Sequence, residues 1–297
     1  MRKVFIEASN KKLHYYLLSI SFVWAANYPI IKYGISNLNI FVFNSVRFIT
    51  AAIVLAIIFF FKEKWVKVKP GDWKKLIGLG ILANVLYQLA FISGVKLTTA
   101  GNAAVILSTS PLWTVFLQSR IYKYKVEFIT YLGLVISLVG IILIILGSGK
   151  RIELGGGALI GDCICLAAAI FWSLQTNLQK PVLSDYPITQ LALIMTIVGA
   201  LGLSIFSLPY VITHDIFKVN FSYYLSAVVS GVFAIAISNL LWSYSIKKIG
   251  AGRTSNYQNL VPILAIVISY FTLHEKILSI QIIGALVTVL GVYLAKR

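Results

Sequence analysis

Charged side chains are scarce in this sequence, and acidic ones are the scarcest. Asp, Glu, Lys and Arg make up 12% of the 297 residues, only nine residues are acidic, and 59% are hydrophobic. Because a soluble domain carries about 25% charged residues, this composition excludes an ordinary soluble protein. It predicts an all-α polytopic membrane protein, since helices satisfy their own backbone hydrogen bonds within a bilayer.

Residues suited to metal binding or catalysis are also few. The two cysteines, Cys163 and Cys165, share one apolar segment and fall on different sides of a helix, so they form no disulfide framework. None of the three histidines has a partner at metal-binding spacing. No nucleophile has a histidine and a carboxylate placed near it, and no nucleotide-binding motif occurs. We therefore predict no metal site, no cofactor and no enzymatic activity.

Ten segments are apolar enough to cross a bilayer, which takes about 17–25 residues each. The connections between them are short and leave no room for a separate soluble domain. The predicted spans lie at about 13–33, 40–61, 74–95, 100–120, 128–147, 158–179, 189–212, 222–246, 252–272 and 279–295.

The basic residues are unevenly distributed between the two sides of the predicted bundle. Connections on the side of the N-terminus hold 19 of the 26 Lys and Arg residues, the opposite connections hold six, and the remaining one is Arg47. The positive-inside rule therefore predicts that both termini are cytoplasmic, in the cell membrane. Topology and attraction to anionic lipid account for the net charge of +17, so we predict no nucleic-acid partner.

The chain contains an internal repeat. A shift of 151 positions aligns Pro111 with Pro262 and gives nine identities over the fifty residues 94–143. A shift of 148 aligns Trp24 with Trp172. A repeat of this kind is the first guide to architecture, and we interpret it as a duplication.

The duplication predicts two halves, 1–150 and 151–297, packed as one membrane body. Each half holds five spans, and an odd number inverts the second half relative to the first. Inverted repeats are typical of secondary transporters, which bind their substrate near the midplane between the halves.

Arg47 lies roughly 10 Å inside the second predicted span, at 1.5 Å per residue. An arginine at the centre of a span costs about 2.5–3.5 kcal/mol to insert, so the side chain must face protein or water. Two interpretations are open. Arg47 binds an anionic or carboxylate group of a substrate, because guanidinium binds carboxylate bidentately, or it pairs with Asp162 at a similar depth in the sixth span.

Two acidic residues are candidates for coupling transport to a proton gradient. Asp162 is predicted within the sixth span; alternatively, it caps that helix. Glu275 lies between the ninth and tenth spans, where a solvated carboxylate is the alternative, and Tyr124 stands at the matching position of the first half.

Uncharged polar and aromatic residues concentrate in the first, third, fourth, sixth, eighth and ninth spans. Because polar side chains turn away from lipid, these six helices are predicted to enclose a central cavity. Aromatic walls with a few hydrogen-bonding groups suit a small organic solute. They do not suit a bare metal ion, which prefers several oxygen ligands.

Several motifs together carry a family resemblance. They are Trp24–Lys32, Asn44–Phe48, Ala100–Pro111, Pro262–Lys276 and Gly284–Gly291. On these motifs the chain resembles the EamA-type, ten-helix branch of the drug/metabolite transporter superfamily over nearly its whole length. The first half departs from the pattern at Tyr124, where an acidic residue often follows the Pro-containing helix.

The resemblance implies alternating access around a cavity between the halves. It also implies movement of amino acids, nucleosides, other metabolites or drugs, often outward. The four-helix multidrug relatives use a Glu in their first span, which is absent here, so their cation exchange does not transfer directly. Carried over to this sequence, the cavity residues that would join Arg47 are Asn27, Tyr87, Ser108, Trp113, Trp172, Gln175, Trp242 and Tyr257.

We therefore expect a secondary transporter, an exporter by resemblance, of a small organic metabolite. Amino acids or similar zwitterions come first, because Arg47 offers a partner for a carboxylate and the aromatic cavity suits an apolar side chain. One alternative is an efflux carrier of lipophilic cations. Another is a membrane partner or sensor that transports nothing.

Overall fold

The computed structural model describes residues 2–123, 127–146, 157–179, 181–214, 218–249, 254, 256–273 and 277–294. Every regular element in these ranges is helical, and none is a strand. We label the principal helices in chain order: α1 (Arg2–Gly34), α2 (Ile40–Lys62), α3 (Pro70–Leu97), α4 (Ala100–Leu107 and Ser110–Tyr122), α5 (Phe128–Leu146), α6 (Gly157–Gln179), α7 (Ile188–Thr213), α8 (Phe221–Lys248), α9 (Leu260–Leu273) and α10 (Ser279–Leu294).

The architecture is that of an all-helical polytopic membrane protein. Within the described ranges, α2, α3, α4, α6, α7 and α8 are long and apolar enough to cross a membrane, and α5 and α10 hold shorter apolar stretches. Large apolar side chains on their outer faces are exposed, among them Phe60 (79%), Phe128 (79%) and Ile212 (74%). Exposed apolar belts of this size mark contact with lipid, which confirms the predicted class. That all ten helices span the bilayer stays a prediction.

Side-chain caps fix where several helices begin. The Asn39 Oδ1 atom accepts a hydrogen bond from the Phe41 amide at 2.9 Å and so starts α2. Thr99 Oγ1 accepts from the Asn102 amide at 3.0 Å at the start of α4, and Asn220 Oδ1 caps α8 in the same way. These side chains satisfy amide donors that have no partner within the helix.

The same helix pairings recur in both halves of the chain. The helices α2 and α7 pack against each other, and so do α5 and α10. The pair α1–α9 has its counterpart in α6–α4, and the pair α3–α6 in α8–α1. The α5–α10 contact is especially close, since a Cβ atom on Gly140 would lie 2.5 Å from the Thr288 amide nitrogen. Small residues of this kind let helix backbones approach in lipid.

Four helices are irregular near the middle of the bundle. The helix α3 contains a π-helical segment at Ile81–Leu86, and α8 contains one at Gly231–Ile237. The helix α4 is interrupted between Leu107 and Ser110, and a 3₁₀ turn at Asn256–Asn259 precedes α9. The predicted start of the ninth span at residue 252 lies outside the described residues. Interruptions of this kind occur frequently at functional sites.

Two apolar clusters lie toward opposite ends of the bundle. One includes Leu17, Leu76 and Tyr186 and borders the face formed by residues 62–72 and 181–187, which we call the basic face. The other includes Ile31 and Val95 and borders the opposite face. The space between the clusters is where the helical interruptions meet.

Candidate functional site

A cavity lies at the centre of the bundle, beside the interruptions of α3, α4 and α8. Its volume is about 80 Å³. Helices α1, α3, α4, α6 and α8, the turn before α9 and α9 itself contribute to its wall, and α2 contributes Arg47. These include the six helices that the sequence grouped by their polar residues. The aromatic and polar residues of the wall are Trp24, Asn27, Tyr28, Arg47, Tyr87, Gln88, Phe91, Ser108, Ser110, Trp172, Asn239 and Gln258.

Arg47 is the single charged side chain among the described residues of this wall. It is only 1% exposed. Its Nε atom donates to Ser230 Oγ at 2.8 Å, and one terminal nitrogen, Nη1, donates to Asn44 Oδ1 at 2.8 Å and Gln88 Oε1 at 3.3 Å. The rings of Phe43 and Phe91 lie 5.8 and 6.0 Å from the guanidinium carbon. The guanidinium is thus held in one orientation.

The other terminal nitrogen of Arg47, Nη2, makes no hydrogen bond to any residue that the structure describes. All described hydrogen-bond partners of the guanidinium are neutral, so the alternative in which Arg47 pairs with Asp162 is not realised. A cation at a site that excludes most water is strongly attracted to an anion. The two Nη2 donors can therefore bind a carboxylate or phosphate oxygen in the cavity.

Asp162 lies away from Arg47 and from the central cavity. It is 2% exposed and does not border the central cavity. The adjacent Gly161 packs against the connection between α3 and α4, since a Cβ atom there would lie 2.9 Å from the Thr98 amide nitrogen. Lys32 reaches the same connection and donates to the carbonyl oxygens of Lys96 and Thr98. Glu275, the second predicted coupling residue, lies outside the described residues.

The interruption of α4 is stabilised by side chains of α6. Pro111 lacks an amide hydrogen, and Ser110 Oγ instead donates to the Leu107 carbonyl at 2.5 Å. Across the helix interface, Ser173 Oγ donates to the Ser110 carbonyl at 2.7 Å and Asn177 Nδ2 to the Thr114 carbonyl at 3.1 Å. These contacts hold the irregular backbone beside the cavity wall.

A second cavity, which we call the amide chamber, lies toward the basic face. Its volume is about 50 Å³, and it shares Gln88, Trp172 and Asn239 with the central cavity. No described residue of its wall is charged. Its polar and indole side chains are Asn84, Gln88, Trp172, Gln175, Gln179, Thr196, Asn239, Trp242 and Ser243.

Three tryptophans lie where the two cavities meet. The ring centre of Trp24 is 5.8 Å from that of Trp172, at an interplanar angle of 88°, and 5.0 Å from that of Trp242. The Trp24 indole nitrogen donates to the Ala234 carbonyl at 3.1 Å, which fixes the ring against the π-helical segment of α8.

The predicted cavity residues divide into three groups. Those that border the central cavity are Asn27, Arg47, Tyr87, Ser108 and Trp172. Gln175 and Trp242 border the amide chamber, which Trp172 also borders. Trp113 and Tyr257 border neither.

Trp113 and Tyr257, which border neither cavity, instead contact other side chains. The Trp113 indole nitrogen donates to Thr109 Oγ1 at 3.2 Å, and the Tyr257 hydroxyl contacts His14 Nδ1. The wall also contains Tyr28 and Phe91, which sequence reasoning did not select. Gln88 follows Asn84 by four residues, and this helical spacing, which puts both on one face, was the available signal for the polar side of α3.

A helical membrane protein with a central cavity lined by aromatic and uncharged polar groups has the form of a membrane carrier. The profile of the EamA-like transporter family matches residues 12–146 and 159–297. The chain belongs to this family.

Curated relatives agree with the family assignment. The chain is 28% identical to the uncharacterized transporter YyaM of Bacillus subtilis, over 94% of this chain and 92% of the relative. It is 26% identical to an uncharacterized transporter of Archaeoglobus fulgidus, over 96% and 97%. A solved crystal structure shares the fold, with a TM-score of 0.68 and 15% identity over 96% of both chains. The protein is therefore a multi-pass membrane transporter.

Proposed function

We propose that the protein is a secondary transporter of small organic solutes that carry a carboxylate, with amino acids and similar zwitterions as the first candidates. The observation that carries this proposal is the position of Arg47. Its guanidinium is fixed by neutral partners, borders the central cavity and leaves Nη2 free of hydrogen bonds to the described residues.

The rest of the wall supports a small solute with an apolar part. The rings of Tyr28, Phe91 and Trp172 surround the cavity with apolar surface, and Asn27 and Gln258 add hydrogen-bonding groups. A pocket of this composition buries an organic side chain and fixes its orientation through a few polar contacts. A carboxylate at Arg47 would leave the remainder of an amino acid against these rings.

The alternative of a lipophilic-cation carrier is disfavoured by the same residues. Arg47 places a positive charge at the cavity, and no described residue of either wall is acidic. Like charges in a weakly screened site repel, so a cationic substrate would meet repulsion with no compensating carboxylate. A protein that only senses or binds a partner would show no solute flux.

We further propose alternating access between two inverted halves, 1–150 and 151–297, with both termini cytoplasmic in the cell membrane. The recurring helix pairings support the duplication, as do the two π-helical segments, which begin at Ile81 and Gly231. The excess of basic residues on one side supports the orientation. Outward transport is proposed from the family resemblance.

Counterflow in proteoliposomes tests the proposal. Vesicles holding the purified protein are preloaded with a pool of unlabelled amino acids, or separately with nucleosides, and uptake of the matching labelled pool is followed. We expect counterflow with the amino acids and inhibition by other carboxylate-bearing analogues. Amino-acid counterflow that bulky lipophilic cations abolish and carboxylates do not affect would contradict the proposed substrate class. If the folded protein shows no counterflow with any pool, transport of these solutes is contradicted.

A further inference from the structure

Several polar side chains of the amide chamber have no hydrogen-bond partner among the described residues. The side chains of Asn84, Gln175, Gln179 and Asn239 border it, and none of them hydrogen-bonds to a residue that the structure describes. Gln175 Oε1 is fully enclosed and unpaired, and so is the Trp242 indole nitrogen. Gln175 and Trp242 are only 5% and 4% exposed.

Buried polar groups in proteins are almost always paired. An acceptor and a donor left unpaired on two side chains that border the same small chamber therefore indicate that a polar ligand group or ordered water completes them. The chamber and the central cavity share Gln88, whose Oε1 accepts from Arg47 while its Nε2 donates to no described residue. A ligand held at Arg47 can thus extend one polar group past Gln88 into the chamber.

The chemistry of the wall selects an uncharged polar group. Amide side chains donate and accept hydrogen bonds, and a carboxamide or hydroxyl group does the same. The described wall offers no carboxylate to neutralise an ammonium group and no cation to neutralise a second carboxylate. An apolar group would leave Gln175 and Trp242 unpaired and would displace any water that satisfied them.

We propose that the amide chamber is a specificity site that binds an uncharged hydrogen-bonding side chain of the substrate, as in carboxamide and hydroxyl amino acids. This inference rests on the proposed carboxylate site at Arg47. It adds a second point of recognition on the side of the basic face, and it predicts discrimination between substrates of equal size.

Isosteric amino acids test the inference. Threonine and valine have nearly the same shape, as do asparagine and leucine, and each pair differs in hydrogen-bonding groups. Proteoliposomes are preloaded with threonine, uptake of labelled threonine is followed, and the four unlabelled amino acids compete. Since leaving a buried polar group unsatisfied costs about 1–3 kcal/mol, we expect asparagine and threonine to compete at concentrations about tenfold lower than leucine and valine.

Two variants assign the preference to the chamber. Trp242→Phe keeps an aromatic ring but removes the indole donor, and Gln175→Leu removes the amide at similar volume. We expect both to reduce the preference to within about twofold. Trp65→Phe is the matched control, because Trp65 lies near the basic face against Phe59 and outside both cavities; it should retain the wild-type preference. Size-exclusion elution and thermal melting confirm that each variant is folded.

The outcomes separate this inference from the proposed function. Equal competition within each isosteric pair, with both variants like the wild type, would overturn the specificity site and leave the carrier intact. Threonine counterflow that is absent in folded wild-type protein, while other carboxylates exchange, would likewise overturn the inference alone. Absence of counterflow for every carboxylate would overturn the proposed function as well.

Discussion

The Nε atom of Arg47 in α2 donates a hydrogen bond to Ser230 Oγ in α8 at 2.8 Å, and Ser230 Oγ in turn donates to Asn27 Oδ1 in α1 at 2.5 Å. One hydroxyl therefore joins three helices and orients the guanidinium toward the cavity. Ser230 directly precedes the π-helical segment of α8, so this contact links the irregular backbone to the charged group.

Ser230→Ala should weaken both folding and binding. The substitution leaves the Arg47 Nε donor unsatisfied in a buried site, which costs about 1–3 kcal/mol. We expect a lower melting temperature and a lower apparent affinity for carboxylate substrates. The control is Ser226→Ala, one turn earlier, where the hydroxyl only donates to the Tyr223 carbonyl. Equal behaviour of the two variants would contradict the role of Ser230 in orienting Arg47.

Arg47→Lys separates charge from geometry. Lysine keeps the positive charge but loses the planar fork that donates in several fixed directions. We expect the variant to fold and to bind carboxylate substrates at least about tenfold more weakly, since a hydrogen bond to a charged group contributes about 1.5–3 kcal/mol. Counterflow at increasing substrate concentration measures this change.

Arg47→Ala removes the charge and leaves Asn44, Gln88 and Ser230 without their donor. We expect loss of counterflow, a lower melting temperature, or both. If the variant matches the wild type in both flux and thermal stability, the assignment of Arg47 to the binding site is contradicted.

Gly231 provides the close approach between α8 and α2. A Cβ atom at Gly231 would lie 2.4 Å from the Arg47 carbonyl oxygen, which is backbone and cannot rotate away. We expect Gly231→Ala to separate the two helices and to cost about 1–3 kcal/mol of stability by overpacking. Gly78→Ala is the matched control, because a Cβ atom there meets no atom within 4 Å. Thermal melting in detergent distinguishes them, and equal melting temperatures would contradict the tight contact.

A contact on the basic face has a defined pH dependence. The Tyr186 hydroxyl donates to Asp72 Oδ2 at 2.7 Å and accepts from the Lys69 amide at 3.2 Å. The hydrogen bond to the Asp72 carboxylate raises the pKa of Tyr186 above its ordinary value of about 10. Because the pKa of Tyr186 is higher in the folded than in the unfolded state, the hydroxyl stabilises the fold at pH values below the unfolded-state pKa. This stability is lost as the pH rises through the folded-state pKa.

Tyr186→Phe should remove that alkaline response. The difference in melting temperature between wild type and variant is expected to be constant between neutral pH and about pH 10 and to shrink above pH 10. Melting curves recorded from neutral to alkaline pH measure this difference. A difference that grows with pH would contradict the assigned direction.

Much of the fold and part of the site follow from local sequence patterns. Apolar segments identified the helices, and polar residues identified those that surround the cavity, because both depend on the contrast between lipid and protein. Which individual side chains face the cavity, by contrast, depends on the irregular backbone of the helices. The break in α4 changes the helical phase after Leu107, so Trp113 does not share the face of Ser108.

The turn before α9 shows the same effect. Tyr257 and Gln258 lie in a 3₁₀ turn with about three residues per turn, and Gln258 rather than Tyr257 faces the cavity. Two of the three side chains that accept hydrogen bonds from Arg47, Gln88 and Ser230, lie in other helices, 41 and 183 positions away in sequence. No periodicity within one helix reports contacts of that separation, which is why the neutral surroundings of Arg47 emerged only from packing.

Asp162 remains the proposed coupling residue among the described acidic side chains. It is 2% exposed within α6, and the adjacent Gly161 packs against the connection between α3 and α4. Protonation of a buried carboxylate changes its contacts and can favour one conformation over the other. We expect Asp162→Asn, which mimics the protonated form, to abolish the response of transport to an imposed pH gradient. Counterflow, which needs no gradient, should persist. Asp185→Asn on the exposed turn near the basic face is the control, and a pH response retained in Asp162→Asn would exclude this carboxylate from coupling.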